Sequence, residues 1–315
     1  MRSLFVSLAG LLAMGASALG QWPPQPQMEQ REIAQNVWTM QHPLGSSNST
    51  FIVTEEGVFV WDADVRTAEQ VLAAIRRTTD KKVRYVAFSH AAGDHATGAW
   101  HFREDQPHII GTRKQMRDLY MQEGEQFAER KASDDPRFSA FRTARLAIPD
   151  IAFEGSLTIR LGGLTMQLTE EGAAHSNSDV TLYVPQKRVF LTGDLLNTEI
   201  HPGQGESAGV FFSNTKNWVT VLGNIIARGL PVDTYVPGHG PVHLGRGIAD
   251  IEEQRHYFLV MRDEVSKLIT AGKSAREVQD EIKLPAEFAH YRSPGRLKAY
   301  ANLFYHQLLE QGYWP

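Results

Sequence analysis

Short apolar runs separated by Gly, Pro, Asn and Asp recur along most of the chain and read as strands, with helical stripes between them. Ile33 to Met40 predicts a strand, and Ser46 to Ser49 a polar turn. Thr50 to Thr54 and Gly57 to Asp62 predict a hairpin around Glu55-Glu56-Gly57. Val71, Leu72 and Ile75 form the apolar stripe of a helix over Thr67 to Arg77. Val83 to Phe88 predicts a buried strand, and the next helix is expected from about Thr97. Ile109-Ile110 is a short strand and Gln115 to Lys131 a helix, broken by Ser133 to Pro136. Further strands are expected at Leu157 to Leu161, Thr165 to Thr169, Val180 to Val184 and Val189 to Thr192. Gly162-Gly163 and Pro185-Gln186-Lys187 supply turns between them. Asn217 to Ala227 is a helix, Thr234 to Val236 a strand, and the pattern from Gly247 onward is mostly helical. This order predicts an α/β sandwich with helices on its outer faces.

The N-terminus follows a different pattern. Arg2 precedes the apolar stretch Leu4 to Ala18, and Ala16-Ser17-Ala18 or Ala18-Leu19-Gly20 offers small residues for cleavage. Residues 1–20 therefore read as a secretory signal peptide, with an uncleaved N-terminal anchor as the alternative. Pro23, Pro24 and Pro26 mark a linker over 21–32. No other stretch is apolar enough to span a bilayer, so no membrane contact is expected after cleavage.

Hydrophobic content of 42% and charged content of 22% are ordinary for a soluble globular protein. A net charge of −4 and the lack of a basic run give no reason to expect nucleic acid as a partner. The chain has no cysteine, which excludes disulfides, thiolate zinc sites and cysteine nucleophiles. Any metal must be held by His and carboxylate. An export signal without cysteines favours a periplasmic or secreted location.

Metal-capable side chains gather at the expected strand ends. His90, Asp94 and His95 follow Val83 to Phe88, and Gly172-Ala173-Ala174 leads into His175. Gly193-Asp194 ends one strand, and Pro237-Gly238-His239-Gly240 ends another. Small residues there let the backbone turn sharply, and open α/β sheets place their sites beyond strand ends.

This set resembles the metallo-β-lactamase superfamily of metallohydrolases over roughly Ile33 to Leu244. The family's first motif, His-x-His-x-Asp-His, stands here as His90-Ala91-Ala92-Gly93-Asp94-His95. His175, Asp194 and His239 match the later ligands in order. Asp194, rather than a cysteine, looks more like the glyoxalase II and general metallohydrolase branches. The resemblance implies a four-layer αβ/βα sandwich over 33–245, with C-terminal helices over 246–315 packed on the same domain. It also implies two zinc positions. Asp94, His95 and His239 would hold one, with Asp194 shared; His90, the residue at 92 and His175 would hold the other. Ala92 has no donor atom, so one strong position and one weak or absent position are expected.

By resemblance the chain is a zinc-dependent hydrolase of a small carbonyl substrate: an ester, lactone, thioester or β-lactam. Zinc lowers the pKa of a bound water from ~15.7 to near 7; the resulting hydroxide attacks, and Asp94 fixes it while acting as a ligand. A β-lactamase is one alternative, and a member whose altered site serves only as a binding module is another. His201, in the loop after Asp194, is a candidate substrate contact. Asp62 either caps a turn or orients a ligand, and Asp179 reads as a turn residue. Gly203 to Ser213, carrying Phe211-Phe212, is either a flap over the site or a loop tucked into the core.

Overall fold

The computed structural model describes residues 27–41, 47–203 and 213–311. Residues 1–20, read from the sequence as a signal peptide, and the Phe211-Phe212 segment lie outside the described residues. Four strands open the chain as an antiparallel meander: β1 (Glu29–Ala34), β2 (Val37–Gln41), β3 (Ser49–Val53) and β4 (Val58–Trp61). Helix α1 (Ala68–Thr78) crosses to β5 (Val83–Ala87), and β6 (His108–Thr112) and β7 (Ile151–Phe153) extend the sheet in parallel. The helix places Glu69 in its first turn and Arg76 and Arg77 in its last, as the helix dipole favours. It buries Val71, Ala74 and Ile75.

The first motif continues into a single helical turn, α2 (Gly93–Ala96). Helices α3 (Arg113–Asp118) and α4 (Gly124–Ala132) are joined by a π-helical turn, Leu119–Glu123. The second sheet holds β8 (Ser156–Leu161), β9 (Leu164–Gly172), β10 (Asp179–Val184), β11 (Val189–Asn197) and β12 (Thr234–His239). Their order is β12-β11-β10-β9-β8, antiparallel except for the β11–β12 pair. Helix α5 (Thr215–Ala227) precedes β12, and α6 (Ala249–Thr270), α7 (Ala275–Glu281) and α8 (Pro294–Gln311) follow it.

The layers follow from which faces are apolar. Phe59, Trp61 and Ile110 of the first sheet meet Met166, Leu182, Leu191 and Val236 of the second in one buried cluster. Behind the first sheet, Val71 and Ile75 of α1 pack on Phe51, Val60 and Val86. Behind the second, Trp218 of α5, Phe258 of α6, Val278 of α7 and Tyr300 of α8 share a cluster with Phe190 and Tyr235. The result is the expected αβ/βα sandwich, with the C-terminal helices on its second face. No helix among the described residues is long and apolar enough to cross a membrane.

Some boundaries differ from expectation. Ile33 to Met40 is a hairpin rather than one strand, because Asn36 adopts a φ of 64° and its N–H bonds Glu32 Oε1 at 2.8 Å. Strand β1 consequently begins inside the stretch assigned to the linker. The helix expected from Thr97 is α2 followed by a 3-10 turn over Ala99–Asp105. Strand β11 does not stop before Asp194 but runs through it to Asn197, and β12 includes His239 as its last residue, with register shifts at Leu191/Gly193 and Gly193/Asn197. Such bulges re-aim side chains at a sheet end.

Candidate metal centre

The two sheets meet at one end through residues that read from sequence only as a polar turn. Ser47 and Asn48 are buried. Ser47 Oγ donates to the Asp94 carbonyl at 2.6 Å, and Asn48 Nδ2 donates to the Pro237 and Gly240 carbonyls at 3.0 and 2.9 Å. The first motif and the His239 loop are thereby tied across the sandwich. Burial of a polar turn depends on the facing sheet, so no local pattern could have shown it.

Two glycines bring the strands close enough to form a site. Gly193 has a φ of 54°, and a Cβ there would lie 2.1 Å from Ser89 Cβ. A Cβ on Gly238 would lie 2.0 Å from Asp194 Oδ1. Only glycine allows these approaches without displacing Ser89 or the Asp194 carboxylate.

Asp194 stands at the centre. Its Oδ1 lies 3.2 Å from His95 Nε2. Its Oδ2 lies 3.3 Å from His239 Nε2, 3.4 Å from His175 Nε2 and 4.0 Å from His90 Nε2. Asp94 Oδ2 is 3.4 Å from His239 Nε2 and 3.7 Å from His95 Nε2. The donors fall into two groups, Asp94-His95-His239 and His90-His175-Asp194. The six residues predicted as ligands therefore converge, in the pairing that the resemblance implied.

These groups fit a metal ion. Zinc bonds of ~2.0–2.1 Å in a tetrahedron put neighbouring donor atoms ~3.3–3.4 Å apart, and the Asp94–His239 and Asp194–His175 separations, both 3.4 Å, are of that size. His90 Nε2, His95 Nε2, His175 Nε2 and Asp194 Oδ1 are buried without a hydrogen-bond partner. Buried polar atoms are otherwise almost always paired, so these point to an ion they would bind. Among the six, Asp94 is the most open to solvent, its side chain being 29% exposed.

The charge balance agrees. Burial works against the Asp194 carboxylate, yet His239, His95 and His175 hold it well below the usual range. Burial, then the neighbouring His95 and His175, pushes His90 well below its usual value, which favours the neutral imidazole that binding an ion requires. Burial also disfavours a charged His239, but Asp194 and Asp94 outweigh it and raise its pKa from 6.5 to about 9. A raised imidazole pKa stabilises the fold fully below the unfolded value and loses that contribution as pH rises through the folded one. The metal-free protein should therefore lose thermal stability between pH 6.5 and about 9. His239→Gln should flatten that slope in a melting series, and an unchanged slope would refute the assignment.

The two groups are not equally supported from behind. His95 Nδ1 lies 3.0 Å from Asp62 Oδ2, a carboxylate–histidine arrangement that orients the ring toward an ion. Asp62 also accepts the Ser89 N–H at 2.6 Å and the Ser89 hydroxyl at 3.0 Å, and Ser89 Oγ reaches His90 Nδ1 at 2.9 Å. Asp62 thus orients one ligand directly and a second through Ser89, and its own φ of 55° is the backbone cost of that placement. His175 Nδ1 has no such partner: Asp179 Oδ1 is 3.8 Å away. Asp179 instead accepts from Ser176 N, Ser176 Oγ and Ala174 N, and so builds the turn that carries His175. Removing an outer partner of this kind typically costs about 10–100-fold in metal affinity. Asp62→Ala should weaken the Asp94-His95-His239 position by that amount in a chelator competition, and parental affinity would show that Asp62 merely caps a turn.

The remaining candidates lie outside both groups. His201 is buried, with Nδ1 2.8 Å from the Tyr257 hydroxyl and its ring against Tyr291. Burial lowers its pKa to about 4. His243 is held by Asp250 and Glu199 at 3.1 and 3.2 Å. A neighbour the sequence pattern did not single out is the Glu123–Arg130 pair, 2.8 Å apart. A Cβ on Gly93 would come within 2.8 Å of Glu123 Oε1 and 2.7 Å of Arg130 Nη1. Burial, together with Asp94 and against the pull of Arg130, pushes the Glu123 carboxyl up to about 7. Glu123 closes the π-helical turn between α3 and α4, a feature that appears only in three dimensions.

Residues 42–239 match the family profile described as Metallo-beta-lactamase superfamily. The linear primary-alkylsulfatase of Pseudomonas sp. (strain ATCC 19151) is 23% identical over 269 residues, 76% of this chain and 50% of that protein. Among solved structures, the stereoselective inverting sec-alkylsulfatase Pisa1 from Pseudomonas sp. is similar with a TM-score of 0.68 at 18% identity, over 90% of this chain and 50% of that one. The metallo-beta-lactamase from Pontibacter korlensis is similar with a TM-score of 0.56 at 16% identity, over 73% of this chain and 99% of that one. The chain spans about half the length of the alkylsulfatases it matches. The profile covers well over half of the chain, from the first sheet to His239: the chain belongs to the metallo-beta-lactamase superfamily.

Proposed function

We propose that this chain is an exported, zinc-dependent hydrolase of ester substrates, with one strong and one weak metal position. The observation that carries the reading is the convergence of His90, Asp94, His95, His175, Asp194 and His239 on two adjoining ion-sized spaces. A divalent ion bound there supplies a Lewis acid and lowers the pKa of a coordinated water. The chain's own groups do the rest. Asp194 faces both groups and holds them at a fixed separation. Asp62 keeps the His95 ring aimed inward. Asp94, the most open of the six, accepts a hydrogen bond from the incoming water and orients its lone pair toward the ester. The similarity to alkylsulfatases supports adding sulfate esters to the carbonyl esters as substrates. The weak position follows from Ala92 and from the unsupported His175 ring.

The test is turnover by zinc-loaded protein of a panel: carboxylic esters, a lactone, a thioester, nitrocefin and primary and secondary alkyl sulfates. Chelator-sensitive hydrolysis of at least one ester class is expected. Turnover of nitrocefin alone would establish a β-lactamase instead. No turnover of any substrate by fully loaded protein would refute the hydrolase and leave a binding module. Export is tested separately, by the N-terminal sequence of the mature protein and its recovery from the periplasm.

A further inference from the structure

The C-terminal helix reaches the metal centre through a continuous set of hydrogen bonds. Gln307 of α8 accepts from Thr215 N and Thr215 Oγ at 3.0 and 2.7 Å, and its Nε2 donates to the Ser213 carbonyl. Ser213 Oγ in turn donates to the His175 carbonyl at 2.6 Å. The next residues hold the same loop: Asn214 N donates to Ala174 O at 2.7 Å, and Asn217 Nδ2 to Ala173 O at 2.6 Å. The start of α5 therefore grips residues 173–175, and Gln307 grips the start of α5. A second contact runs through the rings. Trp218 of α5 meets the His175 imidazole edge-on at 5.3 Å, and Tyr300 of α8 backs Trp218 at 6.1 Å.

His175 needs this support more than its neighbours do. His95 and His90 are oriented by Asp62 and Ser89 through their own rings, whereas neither His175 ring nitrogen has a hydrogen-bond partner. Its direction is set by its backbone and by Trp218. It also belongs to the position that Ala92 leaves short of a ligand. We infer that α8, through Gln307 and Ser213, is the strut that positions His175 and thereby sets the affinity of the His90-His175-Asp194 metal position. Gln307 is a positioning residue: it touches neither ion nor substrate. The inference rests on the two-position metal reading but on no substrate. Metal binding is measured with substrate absent, so a failed hydrolysis assay leaves it standing.

The experiment titrates metal-free protein with cobalt and follows the visible spectrum and the shifted histidine ring protons, which report each position separately. In Gln307→Met the His90-His175-Asp194 position should weaken by about tenfold or more, while the other stays within about twofold. Ser213→Ala should behave alike and serves if Gln307→Met does not fold. Leu308→Ala, in the same helix and buried in the same core, should lower the melting temperature without changing either affinity. Three results would overturn the inference: both affinities unchanged in the two strut variants, equal weakening of both positions, or the same selective weakening in Leu308→Ala. A parent that binds a single cobalt ion at saturation also overturns it, since α8 then has no second position to hold.

Discussion

Asp194→Asn is expected to empty both metal positions at once and to lower kcat/KM by about 1,000-fold or more. The side chain keeps its volume, so the effect reports charge and donor loss rather than packing. Asp194 lies against both groups: its Oδ1 approaches His95, and its Oδ2 approaches His239 as well as His175 and His90. Its carboxylate is the shared negative charge that makes four imidazoles tolerable in one buried space. Without it, each group keeps at most three protein donors and loses the charge that attracts a dication. On the proposed function, that loss would follow from removing the ion that lowers the pKa of a bound water from ~15.7 to near 7. Elemental analysis and steady-state kinetics on the same sample check it. A variant that retains one ion and near-parental activity would show that the Asp94-His95-His239 position needs no bridge. Gly238→Ala provides an independent route to the same outcome, because its Cβ would occupy the space of Asp194 Oδ1.

Ala92→His should have the opposite effect, tightening the second metal position by roughly 100-fold. Zinc held by four ligands in a structural site is worth ~10–16 kcal/mol in all, or ~3 kcal/mol per ligand, which corresponds to about two orders of magnitude. The backbone at 92 already suits the change. Its φ of −73° and ψ of 152° are ordinary for any L-residue, and its carbonyl accepts the His95 and Ala96 N–H groups whatever its side chain. Ala92 is half-buried, so an added ring need not be forced into the core. Cobalt titration of the variant against the parent measures the gain. A rise in kcat/KM together with tighter binding would show that the second ion takes part in turnover. Unchanged affinity would mean that residue 92 does not face the His90-His175-Asp194 group. The two substitutions bracket the site: one removes what both positions share, the other restores what only one has lost.

Much of the site was legible along the chain because its ligands sit where strands end. Val83 to Phe88, Val189 to Thr192 and Thr234 to Val236 are apolar runs whose meaning depends on few neighbours, and each is followed by a small residue and a donor. That combination is local, so it survives without coordinates. The strand ends themselves were misplaced. Strand β11 continues through Asp194, and β12 extends to His239, because bulges keep the pairing going past Gly193. Gly and Pro read as stops from sequence, but a neighbouring strand can hold them in register. The turn at Asn36 is marked in the sequence only by the polar pair Gln35-Asn36, too short an interruption to separate a hairpin from one strand.

The amino-acid sequence by itself determined the class of chemistry. With no cysteine, only His and carboxylate could hold an ion, and Ala92 removed one donor whatever the fold did with it. It also determined the alternation of strands and helices from which a two-sheet sandwich follows. Tertiary structure decided everything that depends on residues far apart in the chain. It chose between the two readings of Asp62 by bringing its carboxylate within 3.0 Å of His95 Nδ1. It turned Ser47 and Asn48 from a surface turn into the clasp between the sheets. It left the His175 ring nitrogens without a hydrogen-bond partner and joined its loop to Gln307, more than a hundred positions later in the chain. The physical reason is the same in each case. A ligand's identity is a property of one side chain, whereas its orientation, its protonation and its share of a metal ion depend on which distant groups the fold packs against it.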